Sequence, residues 1–444
     1  PVIKEFSYDT AQNLYFVKSR NLAHLLKERV PGHILEIIRK FGECADKLGY
    51  KAYLVGGLVR DLFLKRKNFD VDIVIEGDGI IFAQEFARHN NARVRSHKKF
   101  GTAVLIFPDG FKVDVATARM EYYETPAAPP TVETSSLKMD LFRRDFTINT
   151  LAVRLNHMNF GDLIDYFGAQ KDIKERVIRV LHNLSFVEDP TRVFRAIRFE
   201  QRFGLKIGRL TLSLIRNAVD INCFKELSGR RLFMELRLIL MENEPLKAIT
   251  RMHQLDLLKF LSSSIDFNDK LIKLLENISE VISWFTLSYL EEPCDNWKVY
   301  WYAFTSNLDT GEYNSLTTRL MMNDLECVRM NNQRQDVWLL LDSLFRMESE
   351  DNYSIYTLLS QYDTEFLLFI MAKANNEKIK KIISSYFTKL KSTSVSVKGR
   401  DLKAMGLEPG PIYKEIFGAL LEARLKNRVN SKKEEMEFVR ARYL

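Results

Sequence analysis

The chain has 444 residues, a formal net charge of +8 and a hydrophobic content of 46%. This length exceeds one compact core and predicts several domains, while the mild positive charge favours a polyanionic partner. Four scattered cysteines without a CxxC pair argue against a zinc ribbon or a disulfide framework. We find no apolar run of membrane-spanning length and no signal peptide, so we expect a cytoplasmic protein without membrane contact. Because the sequence begins with proline, we expect that it can be part of a longer polypeptide.

The first 50 residues carry no catalytic signal. Residues 1–30 have mixed character and predict an N-terminal extension or linker. Residues 31–49 predict an amphipathic helix that Gly49 ends. The side chains expected on its buried face are Ile34, Leu35, Ile37, Ile38, Phe41 and Leu48.

The central stretch, residues 51–75, predicts a strand, a tight turn and a short helix. Lys51 to Val55 is short, apolar and followed by glycine, which is typical of a buried strand. Gly56 and Gly57 lack a Cβ, so the backbone can approach a ligand closely. A helix that begins at Leu58 would direct free N–H groups at that point, as in a phosphate-binding turn.

Two aspartates follow this helix in a β-rich run. Asp70 and Asp72 are two residues apart, so a strand would place both carboxylates on one face. Adjacent carboxylates repel each other without a cation, and they suit hard divalent ions such as Mg²⁺. Alone, a Gly-Gly pair is usually a turn and a DxD is usually surface charge. Together, around one short helix, they favour a nucleotide and metal site.

The next elements predict a helix near Ile80–His89 and a hairpin. Its strands are Thr102–Phe107 and Phe111–Ala116, joined by Pro-Asp-Gly. If the second strand pairs beside the DxD strand, Asp114 becomes a third carboxylate at the same site. The alternative is an ordinary alternating strand residue. Residues 117–140 contain three prolines and predict a long mobile loop, which beside a metal site is more often a lid than a plain connection.

Strand signals fade from about residue 182, and helical periodicity continues to the end. The fold class that we predict is an α+β head with a small mixed sheet, followed by all-α domains. The four tryptophans, Trp284, Trp297, Trp301 and Trp338, are expected in helical cores. The predicted division is an extension or linker (1–30), a head (31–155), a helical neck (156–240), a helical body (241–345) and a helical tail (346–444).

Five segments in order resemble the motifs of class II tRNA nucleotidyltransferases (CCA-adding enzymes) and bacterial poly(A) polymerases, in the superfamily of DNA polymerase beta type. The first is LVGGLVRDLF (54–63) with the DxD that follows it. The others are LFRRDFTINTLAV (141–153), DLIDYFGAQKDIKERVIRVL (162–181), FVEDPTRVFRAIRFEQRFG (186–204) and LSGRRLFMELRLIL (227–240). Residues 397–424 resemble the C-terminal signature of the family.

The resemblance implies two-metal nucleotidyl transfer. Asp70 and Asp72 would hold two Mg²⁺ ions, and Asp114 would be the third carboxylate. One ion would activate the 3′-OH of the RNA, and the other would steady the triphosphate and the leaving pyrophosphate. The phosphate cradle would be Gly56, Gly57 and Arg60.

In the RRDFTIN segment, the resemblance implies nucleotide contacts. Arg143 and Arg144 would pair with triphosphate oxygens. Asp145 would accept a hydrogen bond from the ribose 2′-OH, and Asn149 would hold the local turn or the nucleotide.

Asp189 and Arg192 are three residues apart and predict one helix face, where by themselves they resemble a surface ion pair. The resemblance implies that they select the base: the carboxylate accepts from the amino group of cytosine or adenine, while the guanidinium donates to the ring nitrogen. Uracil and guanine present the opposite pattern. Glu188 would orient Arg192. Arg195 and Arg198 would reach the triphosphate or give structural support.

The function that the resemblance implies is template-independent addition of CCA to the tRNA 3′ acceptor end from CTP and ATP. In the family, the loop at 117–140 is tied to addition of the terminal A, and its full length here argues against a CC-only enzyme. The fifth motif would brace the base-reading helix, and the basic C-terminal residues suit tRNA phosphates. An A-adding enzyme, a poly(A) polymerase and a non-catalytic RNA-binding protein on this fold stay open. The oligomeric state is not indicated.

Overall fold

We describe the protein from a computed structural model, which describes residues 6–9, 14–17, 21–122, 131–290, 292–347 and 351–444. The chain forms two compact units. The first is Pro1–Glu235 with Thr250–Phe260, and the second is Leu236–Ile249 with Leu261–Leu444. Within the described ranges, we find no helix that is both long and apolar enough to span a membrane.

The strands of the described residues all lie in the first unit. They are β1 (Phe6–Asp9), β2 (Leu14–Val17), β3 (Lys51–Val55), β4 (Val71–Glu76), β5 (Arg93–His97), β6 (Thr102–Ile106), β7 (Lys112–Thr117), β8 (Arg119–Tyr122), β9 (Thr131–Thr134), β10 (Ala152–Arg154), β11 (Leu163–Ile164), β12 (Val177–Ile178) and β13 (Lys206–Ile207).

The helices continue to the C-terminus. Up to residue 254 they are α1 (Ala23–Arg29), α2 (Gly32–Leu48), α3 (Gly57–Phe63), α4 (Gly79–Asn90), α5 (Leu137–Phe142), α6 (Ala169–Glu175), α7 (Ser185–Glu188), α8 (Thr191–Phe203), α9 (Arg209–Asp220), α10 (Gly229–Leu240) and α11 (Pro245–Gln254). Beyond it they are α12 (Asp269–Leu287), α13 (Asn296–Phe304), α14 (Thr310–Arg319), α15 (Asp324–Gln335), α16 (Val337–Arg346), α17 (Asn352–Leu359), α18 (Thr364–Lys373), α19 (Glu377–Ser385), α20 (Gly399–Ala404), α21 (Pro411–Leu425) and α22 (Lys432–Tyr443).

A mixed sheet of order β11–β10–β3–β4–β7–β6–β5 organises the first unit. The pair β4–β7 is parallel and the others are antiparallel. Helices α2 and α4 cover one face, where the rings of Phe41, Phe82 and Phe86 stack. On the other face, Leu137 and Leu141 of α5 pack over the central strands. Among the described residues, side chains of β5 and β7 such as Arg95 and Asp114 are exposed, so these strands are partly open.

The predicted α+β head and helical remainder are confirmed. The strand Lys51–Val55 has the predicted bounds, and the helices expected at 31–49 and 80–89 are α2 and α4. The structureless loop at 117–140 was wrong: β8 pairs with β9, and α5 follows. The tip of this hairpin, residues 123–130, lies outside the described residues, so the lid stays a prediction.

Two further expectations need correction. The head sheet includes β11, which lies beyond the predicted boundary at residue 155, because β11 pairs with β10. The division at residues 240 and 345 stays a prediction, and most of the segment 1–30 outside β1, β2 and α1 is not described. Trp297 and Trp301 are buried as expected and Trp284 is half-buried, but Trp338 is 76% exposed on α16.

Candidate active site

Three acidic side chains meet at a cavity of about 1040 Å³ in the first unit. The parallel pairing of β4 and β7 sets Asp72 directly beside Asp114, and β3 places Val55 on the other side of Asp72. Asp70 lies one residue before β4 and lines the same cavity. The predicted juxtaposition of the three carboxylates is therefore present. We call Asp70, Asp72 and Asp114, with the adjoining Gly56, the sheet wall.

Two acids of the sheet wall, Asp72 and Asp114, have raised pKa values. Burial is the largest cause that raises the pKa of Asp72 to about 6; the Asp114 and Asp70 carboxylates add to this rise, and the Arg144 guanidinium opposes it. Burial and Asp70 also raise the pKa of Asp114, against Lys112. A proton on Asp72 relieves the same repulsion that a metal ion would relieve.

The sheet wall suits a divalent cation that shares its coordination with a ligand. Within the described ranges, no three acidic, histidine or cysteine side chains converge closely enough to hold an ion unaided. Mg²⁺ typically takes one or two carboxylates and completes its shell with water and substrate phosphates. Asp70 and Asp72 provide that number, so the donor set fits a cation bound together with a phosphate-bearing substrate.

The glycine turn lies against the metal-facing carboxylate. Gly56 has φ of 77°, and a Cβ there would come within 2.6 Å of Asp72 Oδ2. A Cβ at Gly57 would lie 2.8 Å from Asn68 Nδ2. Both predicted glycines are therefore required by the close approach of α3 to the carboxylate and to its flanking loop.

Arg60 is placed differently from the prediction. Its Nε and Nη2 donate to the two oxygens of Asp61 at 2.8 and 2.9 Å, and its Nη1 donates to Asn149 Oδ1 at 2.8 Å. The guanidinium is buried and lies 4.3 Å from the centre of the Phe203 ring. Because its donors serve these partners, we assign Arg60 to positioning of α3 rather than to direct phosphate binding.

The two arginines of RRDFTIN share one buried acid that the sequence did not single out. Asp140 accepts from Arg143 at 2.7 Å and from Arg144 at 3.3 Å. Arg143 also pairs with Glu121 at 3.0 Å. The spacing of three and four residues along α5 is the signal that could have found Asp140.

Arg144 is the arginine best placed for phosphates. Its two terminal nitrogens make long hydrogen bonds of 3.3 and 3.4 Å, and its buried Nε has no hydrogen-bond partner. It also lies beside Gly56 and depresses the pKa of Asp72. Its role at the triphosphate stays a prediction, which this position favours.

Both carboxylate oxygens of Asp145 accept hydrogen bonds from groups within the protein. Its Oδ2 accepts from Arg195 Nε and Nη2 at 2.9 and 2.6 Å, and its Oδ1 accepts from Asn149 Nδ2 and the Phe146 N–H at 2.8 Å. Burial alone would raise its pKa, but the Arg195 guanidinium and the Asn149 amide hold the pKa below the usual range. The predicted ribose contact has no unused acceptor, so Asp145 braces Arg195. Asn149 holds the turn, as predicted.

Asp189 and Arg192, the pair predicted to read the base, lie close to the positions expected but differ in detail. Asp189 precedes α8 rather than lying on it, and it accepts from the Thr191 N–H and from Arg231 Nη2 at 2.8 Å. Arg192, on α8, donates from Nη1 to Ser185 Oγ and from Nη2 to the Arg143 carbonyl, both at 2.7 Å. Asp189 and Arg192 both line the cavity.

The neighbours of this pair correct one prediction and refine two others. Glu188 pairs with His182 at 3.4 Å and does not line the cavity, so Ser185 and the Arg143 carbonyl orient Arg192 instead. Arg195 and Arg198 approach Glu235 at 3.7 and 3.6 Å, which agrees with the structural alternative and with the predicted brace from the fifth motif. We call Asp189, Arg192, Arg195 and Glu235 the helix wall.

Sequence reasoning missed two cavity-lining arginines. Arg231, beside Arg230 in the fifth motif, pairs with Asp189 across 42 residues of sequence. Arg202, one turn beyond Arg198 on α8, also lines the cavity. The continuation of the arginine spacing along α8 was the available signal for Arg202, whereas nothing local indicates the partner of Asp189.

Comparisons with known proteins bear on this arrangement. Residues 52–179 match the poly(A) polymerase head domain. The chain is 30% identical to the A-adding tRNA nucleotidyltransferase of Halalkalibacterium halodurans, over 95% of this chain and 96% of that protein. The chain belongs to the class II tRNA nucleotidyltransferase family.

Other members of this nucleotidyltransferase family extend the match. The A-adding tRNA nucleotidyltransferase of Geobacter sulfurreducens is 47% identical over 97% of the chain and 49% of that protein, so the chain spans about half the length of this relative. A solved structure, the Thermotoga maritima CCA-adding enzyme complexed with tRNA_CCA, superposes with a TM-score of 0.70 at 35% identity, covering 95% of this chain and 98% of that one.

Proposed function

We propose that the protein is an RNA nucleotidyltransferase that adds the terminal adenosine to tRNA ending in CC, with ATP as the nucleotide. The supporting observation is that the relatives matching nearly the whole chain at 47% and 30% identity are A-adding enzymes. Full CCA addition, which the sequence alone favoured, is the second candidate, because the Thermotoga maritima structure of similar fold is a CCA-adding enzyme.

The two walls of the cavity suit this reaction. Gly56 and Arg144 lie on the β3 side of the carboxylates, where they would receive the triphosphate. Two Mg²⁺ ions held by Asp70 and Asp72 would supply charge neutralisation for the transferred phosphoryl group and the leaving pyrophosphate. Asp114, on the far side of Asp72, would orient the 3′-OH of the RNA. These assignments rest on the position of each side chain relative to Asp72.

The helix wall would select adenine. Asp189 would accept from the exocyclic amino group, and Arg192 would donate to ring nitrogen N1. Guanine offers an oxygen and an N–H at these positions and would leave both buried groups mismatched, at several kcal/mol. Cytosine shares the adenine pattern, so this pair by itself accepts both ATP and CTP, and the A-adding proposal rests on the relatives.

A nucleotide incorporation assay separates the candidates. Transcripts of one tRNA ending at the discriminator base, at C, at CC and at CCA are incubated with labelled ATP or CTP. We expect label only from ATP and only on the CC-ending transcript. Addition of C to the first two transcripts, together with A on the CC-ending transcript, would establish CCA addition instead. Long A tracts on every transcript would indicate a poly(A) polymerase, and no incorporation with intact RNA binding would indicate a non-catalytic protein.

A further inference from the structure

The edge strand β5 carries basic side chains at alternate positions. Arg93, Arg95 and His97 are exposed, and β5 is the terminal strand of the head sheet. Because side chains in a strand alternate between faces, these three lie on the same face. The question is whether that face is the one that bears the catalytic carboxylates.

The strand register shows that the basic side chains of β5 lie on the face that bears Asp72 and Asp114. Arg95 pairs with Val104 on β6, Val104 pairs with Asp114 on β7, and Asp114 pairs with Asp72 on β4. Residues opposite each other in neighbouring strands share a face, so Arg95 is on the catalytic face. By the same register, Arg93 aligns through Ile106 with Lys112, again on the catalytic face.

We call Arg93, Arg95 and Lys112 the basic strip. Lys112 is close enough to Asp114 to offset part of the rise in the pKa of that carboxyl group. Within the residues that the structure describes, neither Arg93 nor Arg95 has a hydrogen-bond or ion-pair partner. Val104 lines the cavity between Arg95 and Asp114, so the strip continues the cavity outward along the open part of the sheet. Neighbouring strands are about 4.8 Å apart, which puts the Arg95 backbone about 10 Å from that of Asp114.

In-line phosphoryl transfer fixes the direction from which the RNA must arrive. The attacking 3′-OH and the leaving pyrophosphate lie on opposite sides of the reacting phosphorus. With the triphosphate on the β3 side, beside Gly56 and Arg144, the acceptor RNA has to approach over β7, β6 and β5. Its last backbone phosphates would then pass over the basic strip, since only β6 separates Arg95 from Asp114.

We propose that the basic strip binds the backbone phosphates that immediately precede the 3′-OH of the acceptor RNA. This inference rests on the proposed function, which supplies the RNA substrate. The strip gives affinity without reading sequence, because it contacts phosphates rather than bases. It positions the end of the RNA beside Asp114 and takes no part in holding the nucleotide.

Binding of RNA without nucleotide tests the proposal. The probe is fluorescently labelled tRNA ending in CC, titrated with the full chain at several salt concentrations. We expect Arg95→Ala to weaken binding by about tenfold and Arg93→Ala/Arg95→Ala to weaken it further. Loss of each phosphate contact should lower the slope of log affinity against log salt by about 0.7–0.9. The KM for ATP should not change.

A charge-neutral swap is the matched control. The double variant Arg95→Ser/Ser96→Arg keeps the composition of β5 and the net charge but moves the guanidinium to the other face. Ser96 is exposed, and thermal unfolding should show that the variant folds. We expect it to bind the tRNA as weakly as Arg95→Ala.

Two outcomes would overturn the proposal that the basic strip binds RNA phosphates. Wild-type affinity in the swap variant would mean that only overall charge matters. A raised KM for ATP with unchanged tRNA affinity would place the triphosphate there instead. Because no nucleotide is added in the binding assay, a result on the strip does not depend on whether A or C is transferred. A wild-type chain that fails to bind this tRNA would refute the proposed function itself.

Discussion

The sheet wall and the helix wall face one cavity, but the aspartates at the two walls differ in the direction of their pKa shifts or in how they are paired. On the sheet wall, Asp72 and Asp114 have raised pKa values, because burial and neighbouring carboxylates oppose ionisation. Next to the helix wall, Asp145 has a lowered pKa because Arg195 neutralises it, and Asp189 is paired with Arg231. Glu235 is the exception on the helix wall, since burial raises its pKa against the effect of Arg195 and Arg198.

This difference in pairing indicates which wall a bound ligand would stabilise. The side chains of the helix wall are held by ion pairs and hydrogen bonds within the protein, so the pair that we propose to read the base is held in position without a substrate. On the sheet wall, Arg144 and Lys112 offset the rise in the carboxylate pKa values only in part, so a bound cation would stabilise the ionised acids. The same substitution, aspartate to asparagine, should therefore have opposite effects on stability at the two walls.

The largest effect is expected from Asp72→Asn. Removing a metal-facing carboxylate should lower kcat by at least about a thousandfold, since a bound cation contributes several kcal/mol of charge stabilisation. In chelator the variant should unfold at an equal or higher denaturant concentration than the wild type, because a repelled charge is gone. Nucleotide incorporation and urea unfolding measure the two effects, and clear destabilisation would show that Asp72 is not strained by its neighbours.

Asp145→Asn should act in the reverse sense. Breaking this ion pair leaves Arg195 with only the more distant Glu235, at 3.7 Å, and should cost about 3 kcal/mol in the free energy of unfolding. Urea unfolding at neutral pH measures it. The double variant Asp145→Asn/Arg195→Met should regain part of the loss, because no unpaired charge is left buried. A single variant as stable as the wild type would contradict the preassembled helix wall.

Gly56→Ala, compared with a control glycine, should separate the effect of backbone strain at positive φ from the effect of a contact with Asp72. A φ of 77° and a Cβ within 2.6 Å of Asp72 Oδ2 predict about 1–2 kcal/mol of destabilisation and an activity loss of about a hundredfold, because the carboxylate must move. Gly49→Ala is the matched control: its φ is 69°, and a Cβ there meets nothing within 4 Å. It should lose similar stability and keep full activity. Equal activity losses would point to general damage to the head.

The smallest effect is a pH dependence of the metal-free protein. The pKa of Asp72 rises on folding from 3.8 to about 6, so its contribution to stability is fully present below pH 3.8 and is lost as pH rises through 6. Between pH 5 and 7.5, the wild type should lose about 1.4 kcal/mol relative to Asp72→Asn. Unfolding in chelator at several pH values checks this, and parallel curves for the two proteins would contradict it.

Much of the sheet wall could be predicted from local sequence patterns. The strand before Gly56, the glycine pair and the two-residue spacing of Asp70 and Asp72 are all read within a short window, and each is present as predicted. Asp114 needed the extra assumption that its strand pairs beside the DxD strand, which the parallel register of β4 and β7 meets.

Long-range pairing explains what the sequence could not show. The acceptors of Asp145 are occupied by Arg195, 50 residues later in the chain, and no local pattern indicates this partner. The donors of Arg60 are engaged by Asn149, 89 residues away, so its predicted phosphate role gave way to packing. Trp338 follows a helical spacing that usually marks a core, but α16 turns it to the surface.

The parallel register of β7 against β4 has a consequence for folding fidelity. A slip of one residue would swap the two faces, so Asp114 would enter the apolar layer under α2 and α4 while Val113 or Val115 emerged. Desolvating an unpaired carboxylate in that layer is costly, so misaligned sheets are disfavoured. An acidic side chain kept for chemistry thereby also enforces the correct alignment of the strands as the head folds.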